Sequence, residues 1–163
     1  MLIILCAMQK EAVNINCSEA LIFQTGIGAS NVIKRLQKLK VTEQDKIINI
    51  GYAGSTIFKV GEIKTVNAVC KLHPSRTIEE KQQFLTPVRG IEETNCFTAD
   101  NFHEDKEIDI PLIDMELYYI SLIYPQVQSI KIVSDNAHYL SYKTFNAEQS
   151  WGKINEILKE LVK

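Results

Sequence analysis

No apolar run in this chain is long enough to cross a bilayer. The apolar opening, Met1-Leu2-Ile3-Ile4-Leu5-Cys6-Ala7, falls far short of the roughly 20 residues a membrane helix needs. It also lacks a basic stretch ahead of it, so it reads as a first strand rather than a secretion signal. Excess charge is missing too: 18 Lys and Arg against 20 Asp and Glu leave a net charge of -2, with the basic residues scattered among acids. Without a basic stripe, nucleic acid is excluded as a partner class. The four cysteines form no CxxC and have no His at ligand spacing, and His73, His103 and His138 show no metal spacing either. Free thiols in a reducing cytoplasm are the expectation.

What is present is ordinary globular material. The chain has 163 residues, 45% of them apolar and 23% charged, which is a one-domain length with enough apolar surface for a core. Residues 2–7 and Ala20-Leu21-Ile22-Phe23-Gln24 read as strands. Gly26-Ile27-Gly28 then leads into a helix over residues 30–40, with Val32, Ile33, Leu36 and Leu39 on one face. Lys46-Ile47-Ile48-Asn49-Ile50 is a strand meeting a tight turn at Gly51-Tyr52-Ala53-Gly54. Another strand covers residues 60–72, and it and the Ala20–Gln24 strand are a candidate antiparallel pair. Residues 73–93 carry no legible pattern. Beyond them come strand at Cys96-Phe97-Thr98, an exposed acidic loop over 101–109, a short strand at 110–113 and a helix over 116–123 stopped near Pro125. Ser129-Ile130-Lys131-Ile132-Val133 is the last strand. A closing helix over 147–162 places Trp151, Ile154, Ile157, Leu158 and Leu161 at helical spacing. Strands and helices alternate with no linker or repeat, which predicts a single α/β domain around a mixed, twisted sheet flanked by helices.

Three acidic segments follow apolar runs: Met8-Gln9-Lys10-Glu11, Asp114-Met115-Glu116 and Ser134-Asp135-Asn136-Ala137. Each acid is thereby expected at a strand's C-terminal end, the edge where open α/β sheets bind ligands. Carboxylates converging there suit glycosidic bond chemistry, in which one acid activates water and another protonates the leaving group. Each also has a plain structural reading. Asp135 fits an Asx turn or a helix N-cap, Glu11 and Glu116 fit dipole-favoured acids at helix starts, and Met115 fits core filler. Gly26-Ile27-Gly28 lacks the further glycine and the lysine of a P-loop, so it reads as a tight turn whose backbone approaches a ligand.

Taken in order, Cys6-Ala7-Met8-Gln9-Lys10-Glu11, Thr25-Gly26-Ile27-Gly28-Ala29-Ser30-Asn31, Ile48-Asn49-Ile50-Gly51-Tyr52-Ala53-Gly54 and Phe58-Lys59-Val60-Gly61-Glu62-Ile63 carry a resemblance. It continues through Thr98-Ala99-Asp100-Asn101-Phe102, Asp114-Met115-Glu116 and Ser134-Asp135-Asn136-Ala137. The chain resembles the nucleoside phosphorylase/nucleosidase superfamily, with most likeness to the methylthioadenosine/S-adenosylhomocysteine nucleosidases. The resemblance implies a mixed sheet closing toward a barrel, a homodimer, and cleavage of a purine nucleoside's N-glycosidic bond without metal or organic cofactor. It makes Asp135 the acid that protonates purine N7 and Glu11 the base that activates water. It gives Glu116 the ribose hydroxyls, Met115 the sugar face and Phe102 the purine face. Met8, Gly28, Tyr52, Ala53, Gly54 and Lys131 complete the implied substrate contacts.

Several features depart from the family pattern. The chain is shorter, and the trimming falls between Glu11 and Ala20, between Lys71 and Thr94, and between Phe102 and Glu116. Tyr52 stands where a Ser usually helps hold the attacking water, and Lys131 stands where an Arg is common, keeping the charge but losing the planar fork. Only Arg35, Arg76 and Arg89 exist, none at a phosphate-binding loop, which weighs against phosphorolysis. A 5′-thio-adenine nucleosidase is the first expectation. A phosphorylase and a trimmed, non-catalytic nucleoside binder are the alternatives.

Overall fold

A computed structural model describes residues 1–73, 82–101, 109–137 and 145–162. The strands among the described residues are β1 (Leu2–Cys6), β2 (Ala20–Gln24), β3 (Lys46–Gly54), β4 (Ile63–Leu72), β5 (Gln83–Phe84), β6 (Glu93–Ala99), β7 (Ile113–Asp114) and β8 (Gln128–Asp135). The helices among the described residues are α1 (Gln9–Ala12), α2 (Ala29–Leu36), α3 (Leu117–Ile123) and α4 (Glu148–Leu161). All eight strands join one sheet.

The sheet is mixed, as expected. β1 lies between β2 and β3, parallel to both, and β3 continues parallel into β8. β8 pairs antiparallel with β4, β4 parallel with β6, β6 parallel with β7, and β7 returns antiparallel to β3 through Gly54 and Ile113. The circuit β3–β8–β4–β6–β7–β3 therefore closes on itself, leaving β2 and β5 at edges. The candidate antiparallel pair of β2 with the 60–72 strand does not form. β2 pairs with β1, and the antiparallel partners of β4 are β8 and β5. Both are short-range patterns in the sequence, and neither contains information about which neighbour twist and chain length make available.

Both faces of the sheet are covered, which is why β1, β3 and β8 read as continuous apolar runs rather than alternating ones. Ile3, Leu5, Val66 and Val133 pack with Val32 and Leu36 of α2 and Leu117 and Ile120 of α3. Ile4, Ile48, Ile50, Ile130 and Ile132 pack on the other face with Trp151, Ile154 and Leu158 of α4. Each such side chain contributes about 1.5–3 kcal/mol on burial. Ile33, expected on the inner face of its helix, is exposed instead, because α2 ends at Leu36 and presents Val32 and Leu36 to the sheet.

Candidate active site

Strands β1, β3 and β8 run parallel, so their C-terminal ends share one edge. At that edge Cys6 turns through Ala7 and Met8 into α1, which returns Glu11 over the sheet. Glu11 is 1% exposed. Its Oε2 accepts the Met8 N–H at 2.8 Å, closing the first turn of α1, and its Oε1 accepts the Tyr52 N–H at 3.1 Å. The second bond ties two residues 41 positions apart. A Cβ at Gly51 would come 3.1 Å from Glu11 Oε1 and 3.9 Å from Lys131 Nζ, so the missing side chain lets this carboxylate and that ammonium share the space.

At the end of β8 the register shifts. Ala53 faces Val133 and Gly54 faces Asp135, which leaves Ser134 as one extra residue on β8. Such a bulge re-aims the side chain beside it. Asp135 Oδ1 accepts the Ala137 N–H at 2.9 Å and Oδ2 accepts the Ser134 hydroxyl at 2.7 Å. The first of these is the Asx turn foreseen as the plain structural reading. The carboxyl is nonetheless also exposed to a cavity, so the two readings coexist.

Glu116 arrives differently from expectation. β7 runs antiparallel to β3, so it does not deliver Glu116 to the edge by the end-of-strand rule. Its two-residue length does so instead, since the chain turns into α3 at once. Glu116 Oε1 accepts the Gly28 N–H at 2.9 Å, across a turn in which Gly28 has φ +80°. Gly28 thus shapes the site through Glu116.

Beneath these acids lies Asp114, whose Oδ2 accepts both Lys131 Nζ at 2.6 Å and the Leu117 N–H at 3.0 Å. Its Oδ1 accepts the Thr98 hydroxyl at 2.6 Å. Lys131 is 1% exposed. Glu11, Asp114 and Glu116 are therefore buried together with the Lys131 ammonium. Burial first, then the charge of Asp114, pushes Glu116 up to about 7, against the pull of Lys131 and Gly28. Burial raises Glu11 too, opposed by its backbone donors and by Lys131. Burial likewise raises Asp135, with Ser134 and Ala137 opposing. Desolvation works against the Lys131 charge, yet Asp114 and its acidic neighbours hold the ammonium above its ordinary value. Among the described residues no cluster of His, Cys, Asp and Glu is grouped to hold a metal ion.

The acids open on a cavity of about 190 Å³ whose walls include Met8, Glu11, Tyr52, Met115, Glu116 and Asp135. Neither a family model nor a curated protein matches the chain. Solved structures do. An MTAN from Chlamydia trachomatis bound to MTA superposes with a TM-score of 0.79 at 17% identity, covering 99% of this chain and 96% of that one. A 5′-methylthioadenosine/S-adenosyl homocysteine nucleosidase from Helicobacter pylori gives 0.76 at 16%, covering 99% and 97%. Futalosine hydrolase from the same organism gives 0.76 at 17%, covering 99% and 96%. This chain has the nucleoside phosphorylase/nucleosidase fold.

Within that fold, Met8, Glu11, Tyr52, Ala53, Gly54, Met115, Glu116 and Asp135 all line the cavity. Phe102 lies outside the described residues. Lys131 does not line the cavity. Its ammonium is drawn under the floor by Asp114, so any influence on a ligand passes through Glu11 and Glu116. Tyr52 is one wall of the cavity. Its hydroxyl accepts the Trp151 indole N–H at 2.9 Å, and its ring meets Phe145 edge-on at 5.6 Å. Asp114 and Ser134 sat inside the acidic segments without an assigned role, and the extra residue on β8 had no signal in the sequence at all.

Proposed function

We propose that this chain is a purine nucleosidase that hydrolyses the N-glycosidic bond of a 5′-thio-adenine nucleoside of the methylthioadenosine/S-adenosylhomocysteine type. The observation that carries this reading is the convergence of Glu11, Glu116 and Asp135 on one cavity, in a fold whose solved neighbours include nucleosidases.

In this mechanism Asp135, whose pKa burial raises, delivers a proton to purine N7, so the base leaves neutral. The C1′–N9 electron pair departs with the base, leaving a cation-like sugar that the surrounding carboxylates stabilise. Glu11 takes a proton from water as its oxygen bonds to C1′. The Met8 and Tyr52 N–H groups and Lys131 favour the ionised form that this base needs. Glu116, oriented by Gly28, accepts the ribose hydroxyls. Met115 packs on the sugar and Phe102 on the purine. No metal or organic cofactor takes part, and the working form is a homodimer in the cytoplasm. Water rather than phosphate is the nucleophile, since no arginine of the described residues lines the cavity and Arg35 donates to the Gln24 carbonyl.

The test is chromatographic detection of free base from methylthioadenosine, S-adenosylhomocysteine, adenosine and inosine, with and without phosphate, beside an Asp135→Asn control. Adenine released without phosphate and abolished in the control is the expected result. Release that needs phosphate transfers the chain to the phosphorylases. No release at high enzyme concentration leaves a nucleoside binder that does not catalyse.

A further inference from the structure

The backbone donor on Glu11 Oε1 comes from a weakly laddered stretch of β3. β1 pairs with β3 from Leu2 opposite Lys46 to Leu5 opposite Asn49, and then turns away into α1. Beyond Asn49 the Glu11 carboxylate takes the place of β1 as acceptor, receiving the Tyr52 N–H at 3.1 Å. On the other side of β3 the register with β8 slips between Ala53 and Gly54, just after Tyr52. The Tyr52 backbone thus lies between the last rung with β1 and a bulge, where a ladder constrains a strand least.

The Tyr52 side chain supplies the constraint that the ladder lacks. Its hydroxyl accepts the Trp151 indole N–H at 2.9 Å. The two rings meet at 70° with 6.0 Å between centroids, and Phe145 meets the Tyr52 ring edge-on at 5.6 Å. Trp151 is itself buried against the sheet, in the cluster of Ile4, Ile48, Ile50, Ile130 and Ile132, so it is a fixed donor. An indole N–H can only donate, and a buried one left without an acceptor is costly. The bond to Tyr52 therefore has one sense and a strong reason to persist. Tyr52 is pinned at its far end by α4 while its backbone N–H rests on Glu11.

We propose that Trp151 is a positioning residue for Glu11, acting through Tyr52: by anchoring the phenol from α4, it keeps the Tyr52 N–H on Glu11 Oε1 and the carboxylate aimed at its water. With the anchor gone, the N–H drifts from the carboxylate. Glu11 then loses its aim and one of the donors that favour its ionised form. This deepens the nucleosidase reading and rests on it.

The test uses Trp151→Phe, Tyr52→Phe and the double variant, each of which keeps an aromatic ring and breaks the N–H···O bond. Should Trp151→Phe not fold, Tyr52→Phe carries the test, since it leaves the buried indole in place. With methylthioadenosine, kcat for adenine release is expected to fall about tenfold in each single variant with KM within about twofold. The acid limb of the kcat profile moves to higher pH, because the ionised base is less favoured. Lys131 from β8, Glu116 from the start of α3, Cys6 from β1 and Asp135 across the cavity also face Glu11, and neither substitution alters them. The double variant should be no worse than the poorer single one, because all three break one bond. Folded single variants with the parent kcat, or with a lower kcat and an unmoved acid limb, overturn the proposal. A second readout does not need turnover: the Tyr52 amide shift in ¹⁵N spectra, followed against pH, reports the ionisation of the carboxylate it donates to, and Glu11→Gln should flatten it. If that midpoint rises in the variants while no nucleoside is hydrolysed, the positioning of Glu11 stands and the hydrolase reading falls. An unmoved midpoint overturns the positioning whatever the rates do.

Discussion

A single methyl group at residue 54 tests whether Asp135 acts from the position it occupies. Gly54 faces Asp135 in the bulged register. A Cβ there would lie 2.6 Å from Asp135 Oδ1 and 3.3 Å from Ile113 Cγ2, where ordinary contact begins at 3.4 Å. The overlap with the carboxylate is thus about 0.8 Å. Oδ1 is the oxygen that accepts the Ala137 N–H at 2.9 Å. Retreat by that amount along the bond would take it to about 3.7 Å, beyond hydrogen-bonding range. One hydrogen bond to the carboxyl is lost, at about 0.5–1.5 kcal/mol, and the proton donor moves by close to 1 Å, a displacement that costs on the order of 10²-fold in rate. Gly54→Ala should therefore lower kcat for adenine release by about that factor while the chain still melts cooperatively. The same substitution in an Asp135→Asn background should cost little more, because the two act through one group. A folded Gly54→Ala enzyme within about threefold of the parent kcat would refute the claim that Asp135 delivers its proton from this geometry.

Two further outcomes concern the buried charges. Glu116, raised to about 7 against an ordinary 4.5, keeps its proton in the folded chain where the unfolded chain has lost it. The folded state binds more protons across that window, so this contribution to stability is full below about pH 4.5 and declines as pH rises through 7, by about 3 kcal/mol in all. Glu11 and Asp135 are raised as well and act in the same sense. Urea midpoints at about pH 5 and about pH 8 should accordingly show a smaller decline for Glu116→Gln than for the parent, and an equal decline would reject Glu116 as a source. Lys131→Met should cost about 3–5 kcal/mol in urea unfolding, because it leaves the Asp114 carboxylate buried beside Glu11 and Glu116 without its cation. Adding Asp114→Asn should recover part of that loss, since an amide still accepts the Leu117 N–H without carrying a charge. No recovery would mean that packing of the Lys131 stem, not its charge, is what matters.

The sequence by itself determined the elements and the chemistry offered at their ends. Strands sandwiched between helices need apolar side chains on both faces, so β1, β3 and β8 announce themselves as unbroken apolar runs, and α4 announces itself by Trp151, Ile154 and Leu158 one turn apart. The acids after those runs stood out for the same reason: a carboxylate directly beyond a buried strand has few places to go. The sequence did not hold the pairing order, because strand neighbours are chosen by twist, loop reach and competition among similar apolar surfaces. Nor did it hold the residues that the pairing joins. Glu11 meets Tyr52 only because β1 and β3 are parallel neighbours. Glu116 reaches Gly28 only because β7, too short to carry the chain away, turns back beside β3. The family resemblance made Lys131 a contact for substrate. Asp114 claims it below the floor, since a buried ammonium must settle against the nearest carboxylate that can desolvate with it. Local residue preferences are written along the chain, whereas the balance of buried charge exists only once distant segments share one low-dielectric space.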